Sequence, residues 1–194
     1  FADEERDRAL LGEIAERTLA NPTAEAGALE AGLGPGGHAV LAQINAERGN
    51  LLDAESGFFF AISLEPNEPT PHHWYSLLLS RVGRLNLALD QARKAQELDP
   101  TSPVLAANLA GMYLMLGQDE QALRYSKLAT DLGISKKQSG IESAVAMRRG
   151  QWDEARRLIV AQDDIPPEVR PEATRYVDAV ENPDLRAAVI AEMR

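Results

Sequence analysis

Four glycines recur along this chain at almost constant intervals. Gly49, Gly83 and Gly117 stand 34 residues apart, and Gly150 follows 33 residues later. A fixed interval of this length means a stack of similar supersecondary units, each burying its apolar face against the next. Five residues after each glycine stands an alanine: Ala54, Ala88, Ala122 and Ala155. Seven residues further on come Ala61, Ala95 and Ala129, with Gln162 in the last unit. Units one and two close on Leu64-Glu65-Pro66 and Leu98-Asp99-Pro100, and the third on Leu132-Gly133-Ile134. The physical reading is two antiparallel helices per unit. Each glycine ends the first helix, because it enters the left-handed conformation at low cost. Each alanine is small enough to let the second helix approach the first closely.

Other residues agree with helix pairs. Ser102-Pro103 reads as an N-cap followed by a first-turn proline, and Thr70-Pro71 reads the same way. Tyr75, Ser76 and Leu79 share one helical face, as do Leu109, Ala110 and Tyr113, and both faces are expected to pack inward. Alanine and leucine dominate the apolar residues, which favours helix over sheet. Hydrophobic residues make up 44% of the chain, too many for a disordered one. The formal net charge of −10 repels phosphate, so nucleic acid and anionic lipid are poor partners. The chain has no cysteine, which removes disulfides and thiolate metal sites. No apolar run approaches the ~20 residues of a membrane span.

The 34-residue period resembles the tetratricopeptide repeat (TPR) family over roughly residues 35–165. The aromatic that family often carries early in each unit is replaced by His38, His72 and Ala106. Leu41-Ala42, Tyr75-Ser76 and Leu109-Ala110 fill the next two core places. Phe58 supplies the second-helix aromatic of unit one, and Ala92, Ser126 and Ile159 replace it later. The resemblance implies an all-α superhelix (an α-solenoid) of about four helix pairs, with repeats at 35–68, 69–102, 103–135 and 136–165. Residues 1–34 and 166–194 are expected to be terminal caps, because stacked repeats leave open apolar ends. In the first, residues 3–20 carry Leu10, Leu11, Ile14 and Leu19 at helical spacing. Asn21-Pro22-Thr23 stops that helix, a short helix follows at 24–33, and the glycines up to Gly37 break the chain before the repeats. In the second, Pro167–Val180 and Pro183–Met193 read as two helices.

Nothing in the sequence asks for catalysis, a cofactor or a metal. Gly32-x-Gly34-x-x-Gly37 matches the dinucleotide fingerprint in spelling only. Alanine-rich helix precedes it and Pro35 removes an amide that pyrophosphate would need. His72 and His73 are adjacent, so on a helix they point about 100° apart and do not share a metal easily. Asp163 and Asp164 read as a solvated helix end before Pro166-Pro167.

In TPR proteins the first helix of each pair lines the concave, ligand-binding side. That resemblance, with helical spacing, assigns this face three rows. One is Val40, Trp74, Asn108 and Ile141, and the next is Gln43, Leu77, Gly111 and Ala144. The third is Glu47, Arg81, Met115 and Arg148. Thr70 and Val104 lie at the edge. Such a groove suits an apolar or amphipathic peptide, with Trp74 and Arg81 as anchors. The scattered cations are unlike the carboxylate-clamp subtype that recognises acidic chain termini.

From Gly150-Gln151-Trp152-Asp153-Glu154-Ala155-Arg156 to Asp164-Ile165-Pro166-Pro167-Glu168, the chain is similar to the TadD-like TPR lipoproteins of bacterial Tad-type pilus assembly. That similarity implies an adaptor or assembly factor held at the outer membrane in the periplasm, with a secretin or pilus component as its protein partner. A lipid-anchor cysteine would lie upstream of Phe1. The alternatives are a cytoplasmic TPR adaptor of another complex, or a scaffold that self-associates through Leu10, Ile14, Val177 or Val189.

Overall fold

The structure is a computed structural model and describes residues 35–134, 140–161 and 166–185. Among the described residues every regular element is a helix. They are α1 (Pro35–Glu47), α2 (Leu51–Leu64), α3 (Pro69–Arg81), α4 (Leu85–Leu98), α5 (Pro103–Met115), α6 (Asp119–Asp131), α7 (Ile141–Arg148) and α8 (Trp152–Val160). A 3-10 turn (Pro167–Val169) then leads into α9 (Arg170–Glu181). The chain divides into two compact units between Thr101 and Ser102. The first holds α1–α4 and the second α5–α9.

In the first unit α1 packs on α2 and α3 on α4, while α2 and α1 both touch α3. The short connections reverse the chain at each step, so α1 and α3 run in the same direction. In the second unit α5 packs on α6, α7 on α8, and α9 on α8, while α6 and α5 both touch α7.

The periodic glycines make one and the same turn. Gly49, Gly83, Gly117 and Gly150 have φ of 80°, 79°, 72° and 70°. At Gly83 its N–H donates to Ser80 O at 3.1 Å and the Arg84 N–H donates to Leu79 O at 2.9 Å. This is a Schellman cap, which satisfies two carbonyls that the helix end leaves open. Gly83 has free space where a Cβ would stand, so only its handedness matters. Gly83→Ala is therefore expected to cost about 1–2 kcal/mol, read as a lower urea midpoint. Gly57, inside α2, is glycine for a different reason. A Cβ there would stand 2.9 Å from the Ala42 Cβ, so α1 and α2 meet nearly backbone to backbone at this point.

The small residues do what their spacing predicts. Ala54, Ala88, Ala122 and Ala155 are all 0% exposed. Ala61, Ala95 and Ala129 are buried as well, and so are the residues in the Phe58 register, Ala92, Ser126 and Ile159. Tyr75, Ser76 and Leu79 on α3, and Leu109, Ala110 and Tyr113 on α5, face inward as expected. Tyr113 stacks on Tyr125 of α6 with ring centroids 5.4 Å apart.

Several details depart from the sequence reading. α1 already begins at Pro35, so Gly36 and Gly37 lie in its first turn and do not break the chain. Proline at a helix start fixes φ and loses no needed donor, which offsets two poor helix formers. Thr70 is not a cap. α3 starts two residues earlier than that cap would place it, at Pro69, with Glu68 as its N-cap residue. The Thr70 hydroxyl donates instead to Glu68 Oε1 at 3.2 Å. Ser102 does cap α5, its hydroxyl accepting from the Leu105 N–H at 3.4 Å. Leu41 is 39% exposed, whereas Tyr75, its counterpart one repeat on, is 1% exposed. Tyr75 is covered by α2 of the preceding pair, and among the described residues no helix precedes α1.

Val177 is not available to another copy of the chain. It is 0% exposed and packs with Ala146, Ala155 and Ile159, because α9 turns it onto α7 and α8. α9 stays there with help from Arg156 on α8, whose Nε donates to Asp178 Oδ1 at 2.8 Å and which also pairs with Glu181. Leu10, Leu11, Ile14, Leu19, Gln162, Asp163, Asp164 and Val189 lie outside the described residues.

Candidate functional site

α1 and α3 set the geometry of the candidate face in the first unit, since they lie side by side. Their inner sides are committed to the core through Ala39, Ala42 and Ala46 on α1, and through Tyr75, Leu78 and Leu79 on α3. The residues between those positions are left outward. Val40 is 47% exposed and Leu77 37%, and Trp74 is half-buried. Thr70 and Gln43 are half-buried, and Glu47 and Arg81 are exposed. Gln43 Nε2 donates to Glu47 Oε1 at 3.1 Å, one turn along α1. Arg81 sits in the last turn of α3, and its guanidinium has no ion pair with a described residue. The first unit thus presents an apolar strip, Val40, Trp74 and Leu77, that ends at a cation without an ion pair among the described residues.

The second unit divides its share of the rows differently. Val104 and Met115 are more than half exposed, and Asn108 is half-buried. Gly111 has open space where a Cβ would stand, so a backbone can approach α5 there. On α7 the expectation fails at Ile141, which is buried. Ile141 is the first residue of a helix only eight residues long, and its side chain is spent on seating that helix. Ala144 is half-buried. Arg148 is exposed but already engaged. It donates to Leu114 O at 2.8 Å and pairs with Asp119, while the neighbouring Arg149 reaches Glu120 at 2.6 Å. Arg148 therefore ties the fourth helix pair to the α5–α6 turn.

Behind the Trp74 face lies a polar cluster that the sequence reading did not single out. Glu55 on α2 is buried and pairs with Arg84, just after the Gly83 turn. Tyr75 Oη donates to Glu55 Oε1 at 3.2 Å, and its ring stacks on Phe58 with centroids 5.9 Å apart. Burial, then the charge and hydrogen bond of Glu55, raise the Tyr75 phenol well above its ordinary value of 10.0, and Arg84 opposes them. A signal for such pairs exists. Glu55–Arg84, Asp119–Arg148 and Glu120–Arg149 are each 29 residues apart, an acid in the first half of a second helix and an arginine within two residues of the next turn glycine, before it at Arg148 and Arg149 and after it at Arg84.

A phenol whose pKa is raised by folding stabilises the fold below its ordinary value, and that contribution is lost as the pH climbs. The denaturant midpoint is expected to fall above about pH 10, and Tyr75→Phe is expected to flatten that fall. Equal slopes for the two proteins would exclude Tyr75 as its source.

Two of the histidines pack inside the first unit. His72 is buried between the Pro66 carbonyl, 3.1 Å from Nε2, and the Gln91 amide, 2.7 Å from Nδ1. It thereby ties the α2–α3 turn to α3 and α4. His38 packs edge-on against Phe60, with centroids 4.7 Å apart. Burial lowers the pKa of both His38 and His73. Among the described residues no three His, Asp or Glu side chains converge into a cation site. No described helix is long and apolar enough to cross a membrane. No family model matches the chain, and no curated protein sequence is detectably similar to it.

Proposed function

We propose that this chain is a tetratricopeptide-type helical-repeat protein that binds a protein partner through the outward faces of its first helices. The observation that carries this reading is the apolar strip Val40, Trp74 and Leu77 beside Arg81, a cation that forms no ion pair among the described residues. Isolated exposed leucines are ordinary, but here a part-exposed tryptophan and an arginine, the residue types enriched among interface anchors, stand on one face with two exposed aliphatics. The 34-residue period, the repeated glycine turn and the buried alanines support the repeat assignment. Val104, Gly111 and Met115 offer a second apolar stretch on α5.

On this reading the protein is an adaptor or assembly factor. The TadD-like character of residues 150–168 supports a place in a pilus or secretion system, with a secretin or pilus component as the partner and a periplasmic, outer-membrane-associated location. The test is capture of partners by the immobilised chain from a detergent extract of its native cells, beside the Trp74→Ala, Leu77→Ala double variant. A pilus or secretin protein held by the wild type and lost by the variant is the expected result. Equal capture by both proteins removes the α1–α3 face as the site, and a partner of another machine removes the pilus assignment.

A further inference from the structure

We propose that the outward face of α2 is a contact surface for a second copy of this chain, the two α2 helices lying antiparallel across a two-fold axis. This surface is separate from the α1–α3 face and does not rest on the reading of that face as a partner site.

The repeats themselves single it out. In α4 the outward row is Asn86, Asp90, Arg93 and Glu97, and in α6 it is Glu120, Arg124, Lys127 and Asp131, all of them exposed. α8 has Asp153 and Arg157 at the first two places of that row, both exposed. The matching row of α2 is Leu52, Ser56, Phe59 and Ser63, with no charge in it. Leu52 is 61% exposed, Ser63 is exposed, and Ser56 and Phe59 are half-buried. Leu51 and Leu64, at the two ends of the helix, are 42% and 43% exposed. Charges on the outward row suit a helix whose back stays in water, and a row without them is what a covered face carries.

The row fits a copy of itself. Large and small residues alternate along it, and positions 52 and 63, like 56 and 59, lie at equal distances from its middle. Turning a second α2 end for end therefore sets Leu52 against Ser63 of the copy and Phe59 against Ser56, a large residue over a small one at all four places. A parallel pair would set Leu52 on Leu52 and Phe59 on Phe59. Covering Ser63 strands no donor, since its hydroxyl already donates to Phe60 O at 2.7 Å.

The two ends of α2 differ in charge in the sense that an antiparallel pair needs. Arg48 precedes the helix, and the Asn50 side chain makes no cap, so first-turn amides stay open. Glu65 and Glu68 follow its other end. Antiparallel packing brings the start of one α2, with Arg48, to the two carboxylates after the other. Asp53 opposes this from the rim, about 100° round the helix from Leu52, and Arg84 is already held by Glu55. α2 has 14 residues, so the strip is about 20 Å long and 10 Å wide. That is well short of the roughly 800 Å² per copy of a standard stable interface, so the pair is weak. Its dissociation constant is expected near about 0.1 mM, and chains below about 10 µM are single.

The chain has no cysteine, so pairing can be trapped at chosen places. Leu52→Cys and Ser63→Cys chains, mixed at about 0.2 mM and oxidised, are expected to cross-link to each other. Each alone is expected to give about tenfold less dimer, because position 52 faces 63 and not itself. Sedimentation equilibrium gives the second reading, a mass rising from 21.1 kDa toward twice that value as the wild type is concentrated. Ser63→Leu sets large against large and is expected to weaken the pair about tenfold, and adding Leu52→Ser is expected to restore it. The Trp74→Ala, Leu77→Ala variant is expected to pair as the wild type does. The cysteine variants change one outward residue each, so trapping does not depend on how the Ser63→Leu chain folds. A single 21.1 kDa species at about 0.5 mM overturns the proposal. Tighter pairing by Ser63→Leu overturns it as well, since plain apolar adhesion would gain from the added leucine. Pairing lost with Trp74 and Leu77, or cysteine chains that cross-link to themselves as readily as to each other, overturn it too.

Discussion

Truncating Phe58 to alanine lowers the unfolding free energy of the first unit by about 3–5 kcal/mol. Phe58 is 0% exposed and its ring stacks on Tyr75 of the next helix pair. Its surroundings cannot easily close over the gap. α1 and α2 already meet nearly backbone to backbone at Gly57, and Ala54 and Ala61 on the same helix have no longer side chain to offer. The cavity therefore stays open, and its cost adds to the lost transfer energy of the ring. Tyr75 would also lose the surface that holds its phenol toward Glu55. Chemical denaturation followed by far-UV circular dichroism measures the loss. Leu52→Ala is the control, since Leu52 is 61% exposed and its removal is expected to fall within about 0.5 kcal/mol. A Phe58→Ala loss no larger than the control's would mean that the first unit is not built around this ring.

Val177→Asp is expected to release α9 from the second unit. Val177 has no exposure, and a carboxylate placed among Ala146, Ala155 and Ile159 finds no cation inside that cluster. The desolvation penalty of an unpaired charge is several kcal/mol, more than the Arg156 pairs at the surface return. A twelve-residue helix without packing is marginal in water, so α9 unfolds on leaving. Trypsin is expected to cut after Arg175 well before the repeats are digested. The helical signal should drop by about the share of α9, with the remaining transition retained. An unchanged digestion pattern would show that α9 is held by something other than Val177.

The periodic part of the fold was legible because it is local. A glycine that must be left-handed and an alanine that must be small are requirements of one turn and one contact, repeated in each unit. They placed the helix pairs within a residue or two, and the buried faces of Tyr75 and Leu109 followed from them. What escaped depends on neighbours that periodicity does not describe. Leu41 carries the register of Tyr75 without its covering helix, and Ile141 carries the register of Val40 and Trp74 on a helix too short to spare it. Val177 looks free on a helical wheel until α8 stands beside it. Thr70 and the early glycines of α1 were misread because proline at a first turn outweighs the residues around it. On the candidate face the sequence placed Val40, Trp74, Leu77 and Arg81 outward as found, but not the prior engagement of Arg148. A helical wheel does not show that an arginine at the end of one helix is the partner of an acid at the start of the helix before it.

The cluster of Glu55, Tyr75 and Arg84 has a consequence for how this sequence can change over generations. Its three members come from two repeats and meet where no repeat-wide rule applies. Losing Arg84 leaves a buried carboxylate short of its cation, and losing Glu55 strands both the phenol and the guanidinium. An apolar trio of similar volume would serve as well, so each single step is costly and the triple step is not. Among descendants of this chain the three positions should therefore shift together as a block, while each glycine of the 34-residue series stays put on its own account. Two kinds of inheritance would then run through one fold, one imposed by the handedness of a single residue and the other by a bargain among three.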